Sequence, residues 1–316
     1  MSRRSLLSLV LAGVLLAVPS AASAGFRHEP APSLTVGGAA ATPATYSLGQ
    51  LKSQETQFTI TRSSWWGGTR TENEQGVSVD TLVNTAAPTW PAGTKNGLLR
   101  VTVTVSNAWG RSVTFALGEL DPSFGDHPAY LTLPENAHQP QALDLVVPGD
   151  TNDARSLDDV DRITVGVQNP VATTSTVTGA VTVQDGSRST VLSSTELAAL
   201  PARTLNVSFL AGTASQQHVE TGPTLQEVLR AAHAPTGLNT WVAAIGSDGY
   251  VATVTPAEAW VGGRPLLISL SEDGTSTDTP RLVTDGDVKG GRYVSGVVDL
   301  VVGQSQLPGW PGWGGR

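Results

Sequence analysis

Apolar residues recur along this 316-residue chain with two different periods. After Gly76, the residues Val79, Leu82, Val83 and Ala86 stand at i, i+3, i+4 and i+7, and after Gly222 the same spacing returns in Leu225, Val228, Leu229 and Ala232. That period places all four side chains on one face of a short helix, so each segment is expected to bury a stripe against a core. Alternation with period two follows each helix, over residues 99–106 (LRVTVTVS) and 241–246, and predicts a strand, then a turn and a second strand. Next come short acidic helix-like pieces, Gly118-Glu119-Leu120-Asp121 and Pro256-Ala257-Glu258-Ala259, and further strands over 128–133 and 265–270. At the front of each unit, Leu34-Thr35-Val36 with Gly38 and Thr176-Val177-Thr178 with Gly179 predict an opening strand, ahead of 48–51 and 192–200.

The pattern is an internal repeat. Residues 145–150 (LVVPGD), Ala154-Arg155-Ser156 and Ile163-Thr164-Val165 match residues 282–287 (LVTDGD), Gly291-Arg292-Tyr293 and Leu300-Val301-Val302 at a constant offset, 282 − 145 = 137 and 292 − 155 = 137. The helices are offset by 222 − 76 = 146, so the first copy carries extra residues downstream of its helix, with the turn-forming stretch 89–96 as their expected place. Many strands, few short helices and no βαβ alternation predict an α+β fold class, β-rich with mixed sheets and short helices. Asn169-Pro170 and the Thr/Ser cluster after it suggest a boundary, giving units over 25–170 and 171–303. The Trp/Gly/Pro tail, 304–316, is too rich in Gly and Pro to be expected to pack, and reads as a flexible end.

Residues 1–24 read as a signal peptide: Arg3 and Arg4, an apolar stretch over 6–18, and the small-residue site Ala22-Ser23-Ala24 before Gly25. Ser2-Arg3-Arg4-Ser5-Leu6-Leu7 fits a twin-arginine motif, and the long Leu/Val stretch fits an ordinary Sec signal, so the expectation is a secreted, extracellular protein by either route. No later stretch is long and apolar enough to predict a membrane span after signal removal. A net charge of −8 with no Lys/Arg run argues against nucleic acid as a partner. The chain has no cysteine, so packing alone has to stabilise it and no thiolate is available to a metal. Its five histidines (His28, His127, His138, His218, His233) do not stand at zinc-site spacing and read as loop or surface residues.

Arg281-Leu282-Val283, Gly286-Asp287, residues 289–297 (KGGRYVSGV) and Gly246-Ser247-Asp248-Gly249-Tyr250 together resemble the short exported domains of the sulfite oxidase family of molybdopterin-dependent oxidoreductases, and 145–165 is a weaker version. The resemblance implies two tandem molybdopterin-binding-type domains. It further implies that the Arg-bearing loop grips a pterin phosphate, which assigns cofactor binding to Arg155 and Ser156 in copy one and to Lys289, Gly291 and Arg292 in copy two. The competing reading of the same residues pairs Arg292 with a nearby carboxylate such as Asp287.

Family enzymes tether molybdenum through a cysteine in the region that here reads 61–66 (TRSSWW) in copy one and 209–212 in copy two. A serine hydroxyl is a harder ligand with a far higher pKa, so Ser63 and Ser64 are poor substitutes. Ser63, Ser64, Trp65 and Trp66 are instead candidates for ligand binding in a converted cleft, with Trp packing between the repeats as the alternative. No Gly-x-Ser-x-Gly elbow or dinucleotide fingerprint is present, and the carboxylate pairs Asp158-Asp159 and Glu119/Asp121 read as solvated turn residues. No catalytic residue is assigned. The expectation is an exported, non-catalytic module that binds a small ligand or a protein and holds no cofactor. The alternative is an oxidoreductase, or a subunit of one, that retains molybdopterin without a cysteine ligand.

Overall fold

The computed structural model describes residues 33–63, 67–134, 142–172 and 178–305. The first half contains β1 (Ser33–Gly38), β2 (Ala44–Ser47), α1 (Leu48–Lys52), β3 (Thr56–Ser63), β4 (Thr69–Ser78), α2 (Val79–Thr85), β5 (Val101–Asn107), β6 (Ser112–Ala116), α3 (Leu117–Leu120), β7 (Tyr130–Thr132), β8 (Asp144–Val146) and β9 (Val160–Val167). The second half repeats that order: β10 (Val181–Asp185), β11 (Arg188–Leu192), α4 (Ser194–Ala199), β12 (Ala202–Ala211), β13 (Ala214–Pro223), α5 (Leu225–Ala231), β14 (Thr240–Gly246), β15 (Val251–Val254), α6 (Pro256–Trp260), β16 (Leu266–Glu272), β17 (Thr275–Thr284) and β18 (Val297–Gln304).

Each half builds one five-stranded and one four-stranded sheet, in orders β2-β1-β9-β5-β6 with β3-β4-β7-β8, and β11-β10-β18-β14-β15 with β12-β13-β16-β17. The five-stranded sheets are mixed, since β1 runs parallel to β9 and β10 parallel to β18 while the remaining pairs are antiparallel. The fold is therefore α+β and β-rich, as the strand order along the sequence predicts.

The helices form where their ends are satisfied and one stripe is buried. Ser47 and Ser193 cap α1 and α4 in capping boxes with Gln50 and Glu196, and Ser78 and Thr224 accept N–H groups at the starts of α2 and α5. The stripe Val79, Leu82, Val83 and Ala86 is wholly buried, as are Leu225, Val228, Leu229 and Ala232. Burial of such a side chain stabilises by about 1.5–3 kcal/mol, which is what holds helices this short in place.

Three expectations shift in the structure. The opening strand of the second half is Val181–Asp185, because Gly179 takes a positive φ in a turn; Thr176 and Val177 lie outside the described residues. The strand expected from Leu99 starts at Val101, because Gly97–Arg100 close a 3-10 turn entered through Asn96 in the left-handed conformation. Strand β18 runs on through Gln304; residues 306–316 of the tail and the whole of 1–24 lie outside the described residues.

The extra residues of the first half fall between helix and strand. The offset is 225 − 79 = 146 at the helices and 240 − 101 = 139 at the strands that follow. This stretch wedges against the second half: Leu99 packs in the second half's core, and Leu98 touches both cores. Among the described residues no helix is long and apolar enough to cross a membrane.

Candidate functional site at the seam between the halves

The two predicted arginine loops turn inward to the seam where the halves meet. Backbone bonds cross it reciprocally: Thr151 N–H donates to the Val261 carbonyl at 2.8 Å, and Val288 N–H donates to the Phe124 carbonyl at 2.6 Å. These are equivalent positions, since 288 − 151 = 137 and 261 − 124 = 137. The seam is thus self-complementary, in the manner of an isologous dimer built within one chain.

Arg155 and Arg292, each 0 % exposed, sit on either side of it. Arg155 donates from Nε and Nη2 to the two oxygens of Asp150 (2.8 and 2.5 Å) and from Nη1 to Glu119 Oε1 (2.5 Å). Arg292 donates from Nη1 and Nη2 to both oxygens of Glu258 (2.8 and 2.7 Å) and from Nε and Nη2 to Asp287, whose Oδ2 also accepts from Thr284. The short turns around Asp153–Arg155 and Gly290–Arg292 aim both side chains inward. Close approach requires glycine opposite them: a Cβ on Gly118 would lie 2.9 Å from Arg292 Cδ, and one on Gly262 would lie 2.9 Å from Arg155 Nη2.

A further basic residue completes each set at the same register, 264 − 127 = 137. His127 Nε2 lies 2.9 Å from Asp150 Oδ1, while Arg264 donates to Asp287 Oδ1 at 3.1 Å and to the carbonyl of Gly125 across the seam. The set therefore gathers Glu119, Asp150, Glu258 and Asp287 with Arg155, Arg264, Arg292 and His127.

Burial and pairing oppose each other here. Burial pushes Glu119 up, with Glu258 adding to the effect, and Arg155 only partly opposes it. Burial also acts on Glu258, but the charge and paired hydrogen bonds of Arg292 outweigh it and hold that carboxyl below its ordinary range. For Asp150, burial is likewise overcome, by hydrogen bonds from Arg155 and His127, whereas burial keeps Asp287 raised against Arg292. Both arginines are held above the ordinary guanidinium value against burial, chiefly by Glu119 for Arg155 and by Glu258 for Arg292.

The remaining predicted residues are dispersed. Ser156 is half-buried after the Asp153–Arg155 turn, and Lys289 is exposed, its backbone bridging to Leu210. Gly291 packs against Phe124 of the other half, and its carbonyl accepts from the Tyr250 hydroxyl at 2.6 Å. Gly290 and Gly291 also line a cleft of about 300 Å³ with Lys95, Asn96, Tyr250 and Tyr293. There Asn96 donates to Tyr250 Oη at 2.9 Å and the Lys95 ammonium lies 5.4 Å from the Tyr250 ring centre. Ser63 ends strand β3, paired with Thr69, while Ser64, Trp65 and Trp66 lie outside the described residues. Asp158 and Asp159 are exposed as expected, but Glu119 is wholly buried, which corrects its reading as a solvated turn residue. His127 is likewise buried rather than on the surface.

A pterin phosphate does not fit onto Arg155 or Arg292 in this arrangement. Their forks are filled by carboxylates of the chain itself, and a second anion brought into the same buried volume would add repulsion to that of the four carboxylates already there. The chain also lacks a thiolate for molybdenum. Among the described residues no group of three or more His, Asp or Glu side chains is placed to hold a metal ion.

The chain matches no family model and no curated protein. Among solved structures it is similar to the sulfane dehydrogenase SoxCD from Paracoccus pantotrophus, at 12 % identity and a TM-score of 0.33, over 87 % of this chain and 78 % of that one.

Proposed function

We propose that this is an exported, non-catalytic binding module made by duplicating a sulfite-oxidase-type scaffold, in which the loop arginines hold the two halves together. The observation that carries the reading is the seam itself: both arginines are fully buried, and each is shared between two carboxylates of its own half. Such a guanidinium acts as an internal counter-ion. The cysteine-free sequence supports the same reading, because the soft ligand that the family chemistry uses is missing.

The cleft beside the seam is the binding face in this proposal. Lys95 and Asn96 come from the segment found only in the first half, and Tyr250 and Tyr293 come from the second, so a ligand there would read both halves at once. A cleft of this size suits a small polar or anionic group held by an ammonium, an amide and aromatic rings. Protein purified from its native host and assayed for metal and pterin tests the proposal. Molybdenum and pterin well below one equivalent are expected; one equivalent of either would replace this reading with that of an oxidoreductase.

A further inference from the structure

Tyr250 anchors two opposite charges in the cleft beside the seam. Its backbone N–H donates to Asp248 Oδ1 at 3.0 Å, which fixes the carboxylate in the turn between β14 and β15, where Gly249 takes a positive φ. A Cβ on Gly246 would lie 2.9 Å from the same oxygen, so glycine there leaves the carboxylate its place. The Tyr250 ring carries the Lys95 ammonium over its face. That ring is itself held, since its hydroxyl donates to the Gly291 carbonyl and accepts from Asn96.

Lys95 and Asp248 thus line one cleft of about 300 Å³ with opposite charge, and no ion pair joins either to the other or to another described residue. Both are exposed, so a ligand reaches them without opening the fold. The turn does not need the carboxylate. In the first half the equivalent turn is closed by the neutral Asn107, whose Oδ1 accepts from the N–H groups of Trp109 and Arg111. Trp109 and Arg111 occupy the places of Asp248 and Tyr250, since 248 − 109 = 139 and 250 − 111 = 139, the offset of the preceding strands. The charged pair therefore occurs in one half alone. A lone anion at Lys95 would be repelled by Asp248, and a lone cation at Asp248 by Lys95, whereas a ligand carrying both signs satisfies both. The rest of the lining, including Tyr293 and Ser295, is uncharged.

We infer that the cleft binds a small zwitterion of the α-amino acid class, with its carboxylate on the Lys95 ammonium and its ammonium on the Asp248 carboxylate. The inference rests on the proposed binding face and names the ligand that the face takes. A volume of about 300 Å³ is at the low end for ligand clefts and suits a molecule of that size. Lys95 belongs to the first half and Asp248 to the second, so such a ligand bridges the two.

NMR of the full chain at pH 6, titrated with L-leucine, N-acetyl-L-leucine and L-leucinamide, separates the two charges, because the second compound keeps only the carboxylate and the third only the ammonium. The expected result is saturable shifts at Lys95, Asn96, Asp248 and Tyr250, with leucine binding about tenfold or more tightly than either analogue. Lys95→Met should bring leucine down to the level of leucinamide. Asp248→Asn, whose amide oxygen still accepts the Tyr250 N–H, should bring it down to that of N-acetyl-leucine. Resonances outside the cleft report that each variant is folded. Equal affinity for leucine and either analogue would overturn the inference and leave the binding face standing, whereas no shift at the cleft from any of the three would overturn both.

Discussion

His127 and Arg264 hold equivalent places 137 residues apart and make the same contact, one to Asp150 and the other to Asp287. The two halves thus keep the geometry of the side chains at the seam while exchanging one residue type. What holds the seam together follows chiefly from the arginines that the two halves share.

Removing Arg292 leaves Glu258 and Asp287 buried with their main donor gone. Arg292→Met is expected to cost about 3–5 kcal/mol in urea denaturation, since breaking a buried pair strands the remaining charges. Arg292→Lys should recover only part of this, because an ammonium cannot bridge two carboxylates as the planar fork does. An Arg292→Met variant as stable as the parent would show that the pair contributes nothing net.

Gly291 lies where a Cβ would come within 2.4 Å of the Phe124 ring. Gly291→Ala should therefore cost about 1–3 kcal/mol through overpacking of the seam. Gly249→Ala is the contrasting control: a methyl there meets nothing, and its cost is confined to the positive φ. Comparison of the two thermal midpoints checks this.

Leu99 belongs to the first half's sequence and to the second half's core. Leu99→Ala is expected to cost about 2–5 kcal/mol. Calorimetry should show the whole molecule unfolding at lower temperature in one transition, because the leucine ties one half to the other. Early unfolding of the first half alone would contradict that assignment.

Asp80, in the first turn of α2, is pushed up to about 6 by burial and by Asp121, against the hydrogen bond from Asn84. Its folded value lies above the unfolded one, so its contribution is full below the ordinary carboxylate range and is lost as pH rises through about 6. Asp80→Asn should remove this loss and stabilise by about 1 kcal/mol at pH 8, after allowance for solvent screening and the helix dipole, with no gain at pH 4. Denaturation midpoints at the two pH values provide the check.

Much of the fold is legible in the sequence because burial leaves a period behind. The stripes beginning at Val79 and Leu225 and the alternation through Val101 and Val242 predict the elements that form, and the 137-residue offset predicts that arginines 155 and 292 are equivalent. The site was harder to read. Arg155 and Arg292 stand out in the sequence, but a guanidinium that grips a ligand and one that grips its own carboxylates share the same local pattern. What separates them is Glu119 and Glu258, dozens of residues away and brought in by α3 and α6. A charged residue in a four-residue helix gives no periodic sign of being buried, so Glu119 reads as a solvated turn residue. One signal was present: Glu119 and Glu258 recur at nearly the offset of the arginines, 258 − 119 = 139, and a carboxylate that repeats in step with a cation is a candidate partner.

Nitrogen-15 NMR of the arginine side chains tests the central claim most directly. If Arg155 and Arg292 are internal counter-ions, their Nε–H resonances should exchange slowly with water, as fully buried and hydrogen-bonded groups do, and stay unmoved when inorganic phosphate is added to saturation. Rapid exchange, or a shift of either resonance on titration with phosphate, would mean that the forks are open to an external anion and would contradict the account.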